Sequence, residues 1–404
     1  MKNNFILFLF SPFIGFVQAI KHHNERWAKN SVWLFVIFYG YTMCRPEIMD
    51  SSRYVTKLKE LYNTPLNWDV FVANFYSEES STVDIYQPLL TYILSLVTDN
   101  GNILFAVFGI FFGYFYSRNI WLLLDYSKNQ RMTNMMIAII VTFSCVVGFW
   151  NLNGVRMWTA AHMFFYGTFL LLVHGNRKGL VIAVLSILVH FSFILPIGVL
   201  LFFYFIKIPW RILYFFFIAS FSITTLNLDS VRSRLESIAP DFLLPRVKSY
   251  TSEEYVEVIS DLNASGNWYI SYYNTSVSWY LMILFSFIYF SSAKSNTYSK
   301  SFSNLFGFSL LLMSIGNITS LMPSGSRYLL LAQLFGMALI YFYYVVFNDK
   351  EFKKWALLFS PMLVFYIIIS IRISFDTVSF MTILTNPILA TIIDLPIPLI
   401  DLIK

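Results

Sequence analysis

NLNGVRMWTAAHMFFYGTFLLLV (residues 151–173) and SGSRYLLLAQLFGMALIYFYYVVF (residues 324–347) each put one arginine at the head of a long apolar run. A short turn of Gly, Ser or Asn precedes the arginine in both. Runs of this length meet the about 17–25 residues that a helix needs to cross hydrocarbon. A guanidinium keeps its charge at physiological pH, and charge at the mouth of a membrane helix is costly. Arg156 and Arg327 are therefore either interface anchors, reaching for lipid phosphates, or anion sites. The apolar runs decide the fold, and their arginines pose the question of function.

The rest of the chain has the same character. It is 57% hydrophobic and 12% charged, against about 25% charged in soluble domains. Apolar stretches of helical length fall near residues 5–20, 31–44, 102–117, 134–150, 155–173, 179–206, 209–226, 273–292, 302–322, 327–347 and 355–371. The stretch 5–20 ends in bulky and basic residues rather than a small-residue cleavage site, so it reads as a first span and not a removed signal. Cys44 and Cys145 have neither metal-ligand spacing nor a disulfide framework. The net charge of +6 sits in short loops between spans, where it sets orientation, and does not indicate nucleic acid.

Six basic loops carry this charge: Lys21 to Lys29, Arg118 to Arg131, Arg177-Lys178, Lys207 to Arg211, Lys294 to Lys300, and Lys350 to Lys354. The positive-inside rule makes all six cytoplasmic if the stretch 179–206 goes out and returns, bending near His190 and Ser192 or at Pro196. The expected fold is then an all-α, polytopic integral membrane helical bundle, a single domain over 1–404 with about 11–12 membrane segments. Segments 45–101 and 227–272 become external loops, ordered caps over an outer cleft. The tail 373–404 is external or interfacial, and both arginines face outward.

On that face, a helix N-terminus adds backbone donors and positive dipole to each guanidinium, which suits pyrophosphate. Gly154 and Gly325 would let the backbone come close to a ligand. His190, in LVHFSFILPI, lies at the expected bend and is a candidate general base. His162 and His174 are weaker candidates, one rotated away from Arg156 and the other in a cytoplasmic loop. The outer loops supply Asp50, Arg53 and Tyr54 after the second span, and Asp84 and Tyr86 before the third. The second outer loop adds Arg246 and Tyr250. Most such loop charges are solvated surface, yet a polar, aromatic-rich cleft suits a carbohydrate. The sequence has no P-loop, no G-x-S-x-G elbow and no metal-ligand cluster, so the expectation is no metal and no cofactor.

The order of these features resembles the EpsG/Wzy-type polysaccharide polymerases of bacteria. The elements that carry the resemblance are GYTMCRPEIMDSSRY after a short second span, the Arg-headed NGVRMWTAAHMFFYG, then LVIAVLSILVHFSFILPI, and later SGSRYLLL. Asp50, Tyr54, Arg156, and His190 with Ser192 fall at the family's motif positions. Met157 departs from the glutamine common there. Arg156, ten residues and Gly167 also resemble the Arg-x10-Gly element of some O-antigen polymerases.

The resemblance implies a GT-C-like, metal-independent glycosyltransferase of the bacterial inner membrane. It would join undecaprenyl-pyrophosphate-linked oligosaccharide units into O-antigen, capsule or exopolysaccharide, with a chain-length regulator as a candidate partner. Arg156 and Arg327 would hold the pyrophosphate, and His190 or Asp50 would act as base. Tyr54, Arg246 and Tyr250 would meet the glycan. The rival readings are an O-antigen ligase-like transferase, a flippase or exporter of lipid-linked glycan, and a membrane O-acyltransferase. The flippase predicts charges at mid-membrane depth, of which the spans carry almost none, and the acyltransferase predicts a cytoplasmic donor site, whereas Arg156 and Arg327 are expected to face out.

Overall fold

The computed structural model describes residues 2–76, 84–223, 237, 267–292, 298–322, 324–393 and 396–402. It is all-helical, 79% helix, with no strand among the described residues. In chain order the helices are α1 (Lys2–Phe10), α2 (Pro12–Lys21), α3 (Ala28–Thr42), α4 (Asp50–Asn63), α5 (Trp68–Tyr76), α6 (Tyr86–Ser95) and α7 (Gly101–Leu124). Next come α8 (Asn134–Val146), α9 (Val155–Leu172), α10 (Lys178–Val189), α11 (Ile194–Phe205) and α12 (Trp210–Ser220). The last group is α13 (Trp268–Ser292), α14 (Lys300–Thr319), α15 (Ser326–Val346), α16 (Lys350–Leu358), α17 (Ser360–Ser374), α18 (Phe380–Leu384) and α19 (Pro387–Ile392).

Four helical stretches among the described residues are long and apolar enough to cross a membrane, or five if α16 and α17, bent by 49°, form one span. One of the four, Asn134–Leu172, runs for 39 residues, about twice a single crossing. It doubles back on itself. Phe143 on α8 lies 5.3 Å, ring to ring, from Phe165 on α9, and His162 Nε2 lies 3.1 Å from the Val147 carbonyl. The 3-10 turn Phe149–Gly154 makes the reversal and delivers Arg156 to the second residue of α9.

Two expectations about segment shape meet the structure differently. The stretch 5–20 is not one span. Ser11 caps a new helix whose first residue is Pro12, and Gly15 lies close enough to the Phe8 backbone that α2 folds back along α1. The stretch 179–206 does break, and it breaks at His190, whose extended backbone (φ −147°, ψ 116°) separates α10 from a 3-10 turn and α11. α11 then returns toward the end from which α10 came. Phe203 packs on Phe308, and near the start of that same helix Ser301 donates to the Val173 carbonyl.

The α9–α10 pair depends on a reciprocal contact between two glycines. A Cβ on Gly167 would lie 2.5 Å from Gly179 O and Ala183 N, and one on Gly179 would lie 2.3 Å from Gly167 O. The missing side chains let the two backbones touch, as small residues do between membrane helices. The physical role of Gly167 in the Arg-x10-Gly spacing is therefore packing. It holds α10 along α9 so that the His190 break sits at the level of Arg156. The tail packs on α3: Tyr39 donates to Thr377 Oγ1 at 2.9 Å, and Cys44 N–H donates to Thr377 O at 2.8 Å.

Candidate functional site

Arg156 and Arg327 each occupy the second residue of a helix, α9 and α15. The turn before α15 is tight, with Ser324 in the left-handed region (φ 60°). A Cβ on Gly325 would lie 1.7 Å from Thr319 O, so this glycine is needed by the turn itself. A Cβ on Gly154 would meet only a side chain, the Trp158 ring at 2.9 Å. Gly325 thus serves the chain reversal, and Gly154 lines the cavity wall beside Arg156. Tyr328, next to Arg327, donates to the Ser192 carbonyl at 3.1 Å and ties the start of α15 to the His190 break.

These contacts converge on one cavity of about 320 Å³ lined by Asp50, Tyr54, Arg156, His190 and Arg327 among others. Five residues separated by up to 277 positions, each singled out from sequence, share its wall. The second residue of the Arg-headed motif, Met157, also lines it, and Ser192 Oγ points at its sulfur at 3.9 Å. Arg246 and Tyr250 lie outside the described residues, as does most of the second expected outer loop. The first expected outer loop is largely helical, as α4, α5 and α6.

The residue that organises the cavity wall is Asp84. Its side chain is 0% exposed. One carboxylate oxygen accepts from Arg156 Nη1 at 2.9 Å. The other accepts the Phe191 N–H at 2.7 Å and lies 3.6 Å from His190 Nδ1. A buried carboxylate is tolerated only when paired and hydrogen-bonded, and Asp84 is both. Its neighbour Ile85 donates from its backbone to Leu188 O at 3.2 Å, which fixes this strip of chain along the end of α10. Asp84 therefore couples the two motif elements, the arginine that heads α9 and the histidine at the break after α10.

Tyr54 completes the setting of Arg156. Its hydroxyl accepts from Arg156 Nε at 3.1 Å, and the guanidinium carbon lies 5.8 Å from its ring centre. Burial pushes the Tyr54 phenol above its ordinary range, and the adjacent Arg156 only partly offsets this. The ring hydroxyl thus stays protonated at neutral pH. Asp50, by contrast, sits half-exposed at the first residue of α4, 3.6 Å from Arg53. Arg327 is half-buried in the cavity wall, and no hydrogen bond or ion pair holds its guanidinium among the described residues.

The other histidines have different settings. His162 is buried, with Nε2 toward Val147 O and Nδ1 3.2 Å from Asn119 Nδ2, a packing role that ties α7 to the α8–α9 hairpin. His174 packs by Tyr126 and Phe169 past the end of α9, away from the cavity. No family model, curated protein or solved structure matches this chain.

Proposed function

We propose that this chain is an inner-membrane polysaccharide polymerase, a GT-C-like bundle of about eleven membrane segments. In this reading it transfers glycan from an undecaprenyl-pyrophosphate carrier onto the next lipid-linked unit. The observation that carries the reading is the convergence of Asp50, Tyr54, Arg156, His190 and Arg327 on one cavity. The cavity offers what such a transfer needs: fixed cation, available cation, a candidate base and aromatic surface.

In the reaction, an acceptor hydroxyl attacks the anomeric carbon of the donor glycan while the bond from that carbon to the pyrophosphate oxygen breaks. The acceptor proton passes to His190, and polyprenyl pyrophosphate leaves with the bonding pair. Arg327 stabilises the charge that develops on the leaving group, an effect worth most where water is excluded. Arg156 adds positive potential from a guanidinium already braced by Asp84 and Tyr54. Asp84 is a positioning residue in this scheme, fixing the His190 break through the Phe191 N–H. Asp50, half-exposed and beside Arg53, fits the glycan-facing rim of the cavity better than the role of base.

The test is glycan length in cells that depend on this chain. Arg327→Ala at normal protein level should leave single repeat units on the carrier and no long chains. Wild-type chain length in that variant would refute the reading.

A further inference from the structure

At the end of the bundle that carries the basic loops, a second cavity of about 420 Å³ opens between the turn after α2 and the end of α7. Its wall holds His23, Arg26, Lys29, Arg118 and Lys128, opposed by the carboxylates of Glu25 and Asp125. None of the four permanent cations forms an ion pair among the described residues. The turn is fixed in place: Trp121 Nε1 donates to His23 O at 3.0 Å, and Arg118 donates to Asn30 Oδ1 at 2.8 Å. His23 Nε2 is shielded from solvent and has no hydrogen-bond partner.

This basic cavity borders, across His23, Trp121 and Leu124, a larger cavity of about 630 Å³ whose wall is almost wholly apolar. That second space runs along the whole of α8, past Ile137 and Val141 to Trp150. Thirteen helical residues correspond to about 20 Å. A polar pocket rich in cations, set against a long apolar groove on helices of membrane-crossing length, matches the chemistry of an amphiphile with an anionic head.

We propose that this groove is a binding site for an anionic phospholipid. The phosphate sits among Lys29, Arg118 and Lys128. An acyl chain lies along α8. Basic pockets between membrane helices select anionic headgroups in this way. The inference rests on the membrane-crossing helices and not on the polymerase reading, whose cavity shares no lining residue with either of these two.

The test uses the full chain, delipidated in neutral detergent, with bound lipid read by native mass spectrometry. Phosphatidylglycerol should bind saturably, at least tenfold tighter than phosphatidylcholine with the same chains. Lys29→Gln with Lys128→Gln, two surface changes that leave the core intact, should remove most of that preference. Val141→Trp, which fills the groove and touches no charge, should weaken both lipids. Equal binding of the two lipids would overturn the proposal. So would glycerol phosphate binding as tightly as the whole lipid, since the groove would then contribute nothing. A Val141→Trp variant that binds phosphatidylglycerol normally but makes no long glycan would assign the groove to the substrate's isoprenoid tail instead. Loss of activity in Arg327→Ala with lipid binding unchanged keeps the two proposals separate.

Discussion

The two arginine-headed helices look alike in sequence and differ in structure. Each arginine is the second residue of its helix, each follows a tight turn, and both line one cavity. Yet Arg156 is bound on two sides, by Asp84 and Tyr54, while Arg327 has no partner among the described residues. A guanidinium that already faces a buried carboxylate is part of the frame. One without a partner is free to take an anion. The pair is thus better described as a braced arginine and an open one than as two equal jaws of a clamp.

The sharpest way to break that comparison is to remove the brace. Asp84→Ala leaves Arg156 without its ion-pair partner, frees the Phe191 N–H and releases His190. Removing one partner of a buried pair costs about 3–5 kcal/mol, and partial exposure of Arg156 places the cost at the lower end. Thermal unfolding in detergent should show a clear drop in Tm, and long-chain glycan should vanish. A variant with wild-type Tm and activity would mean that Asp84 braces nothing. Arg327→Ala should show the opposite pattern, with activity lost and stability unchanged within about 0.5 kcal/mol, as for a surface change. If Tm falls as far as in Asp84→Ala, the open arginine is structural too and the contrast collapses.

His190→Gln tests whether the braced side carries chemistry. Glutamine retains polar atoms close to the imidazole's position but cannot take up a proton. A general base contributes about 10²–10⁴-fold, so polymerisation rate with purified lipid-linked substrate should fall by that range while substrate binding persists. Unchanged turnover would return His190 to a packing role beside Asp84.

The sequence made the cavity's cations, its histidine and the α10–α11 break legible, because charges and a histidine stand out against apolar runs. Asp84 reads in the sequence only as one more loop carboxylate, and most of those are solvated surface. A stronger signal was present: Val83, Ile85 and Tyr86 flank it, an apolar setting unusual for a surface aspartate, and Arg156 needed a counter-charge. The broken first segment was legible in Ser11-Pro12, since proline opens a helix readily and interrupts one at a cost. What no local pattern could supply was the pairing of elements far apart, such as Tyr328 to Ser192, on which the cavity's closure depends.

Gly167→Ala tests the comparison from a distance, because it touches neither arginine. The new methyl would meet backbone atoms of α10 at 2.5 Å, and backbone cannot rotate out of the way as a side chain can. Overpacking of this kind costs about 1–3 kcal/mol, and relief requires α10 to move off α9. That motion carries His190 and the Asp84 contact away from Arg156, while Arg327, on α15, keeps its place. Activity should therefore drop by a smaller factor than in His190→Gln, and binding of the pyrophosphate carrier should hold.

The smallest effect belongs to Tyr54→Phe. The ring and its contact with the guanidinium remain, and only the hydroxyl that accepts from Arg156 Nε is lost. A hydrogen bond to a charged group is worth about 1.5–3 kcal/mol, but Arg156 borders an open cavity, where water can replace the hydroxyl and reduce the loss. The expected result is a Tm shift well below that of Asp84→Ala and a modest fall in rate. Because Asp84 and Tyr54 hold different nitrogens of one guanidinium, the double variant should be non-additive by 0.5 kcal/mol or more. Strict additivity would show that the two contacts are not one brace, and that the ion pair with Asp84 alone distinguishes Arg156 from Arg327.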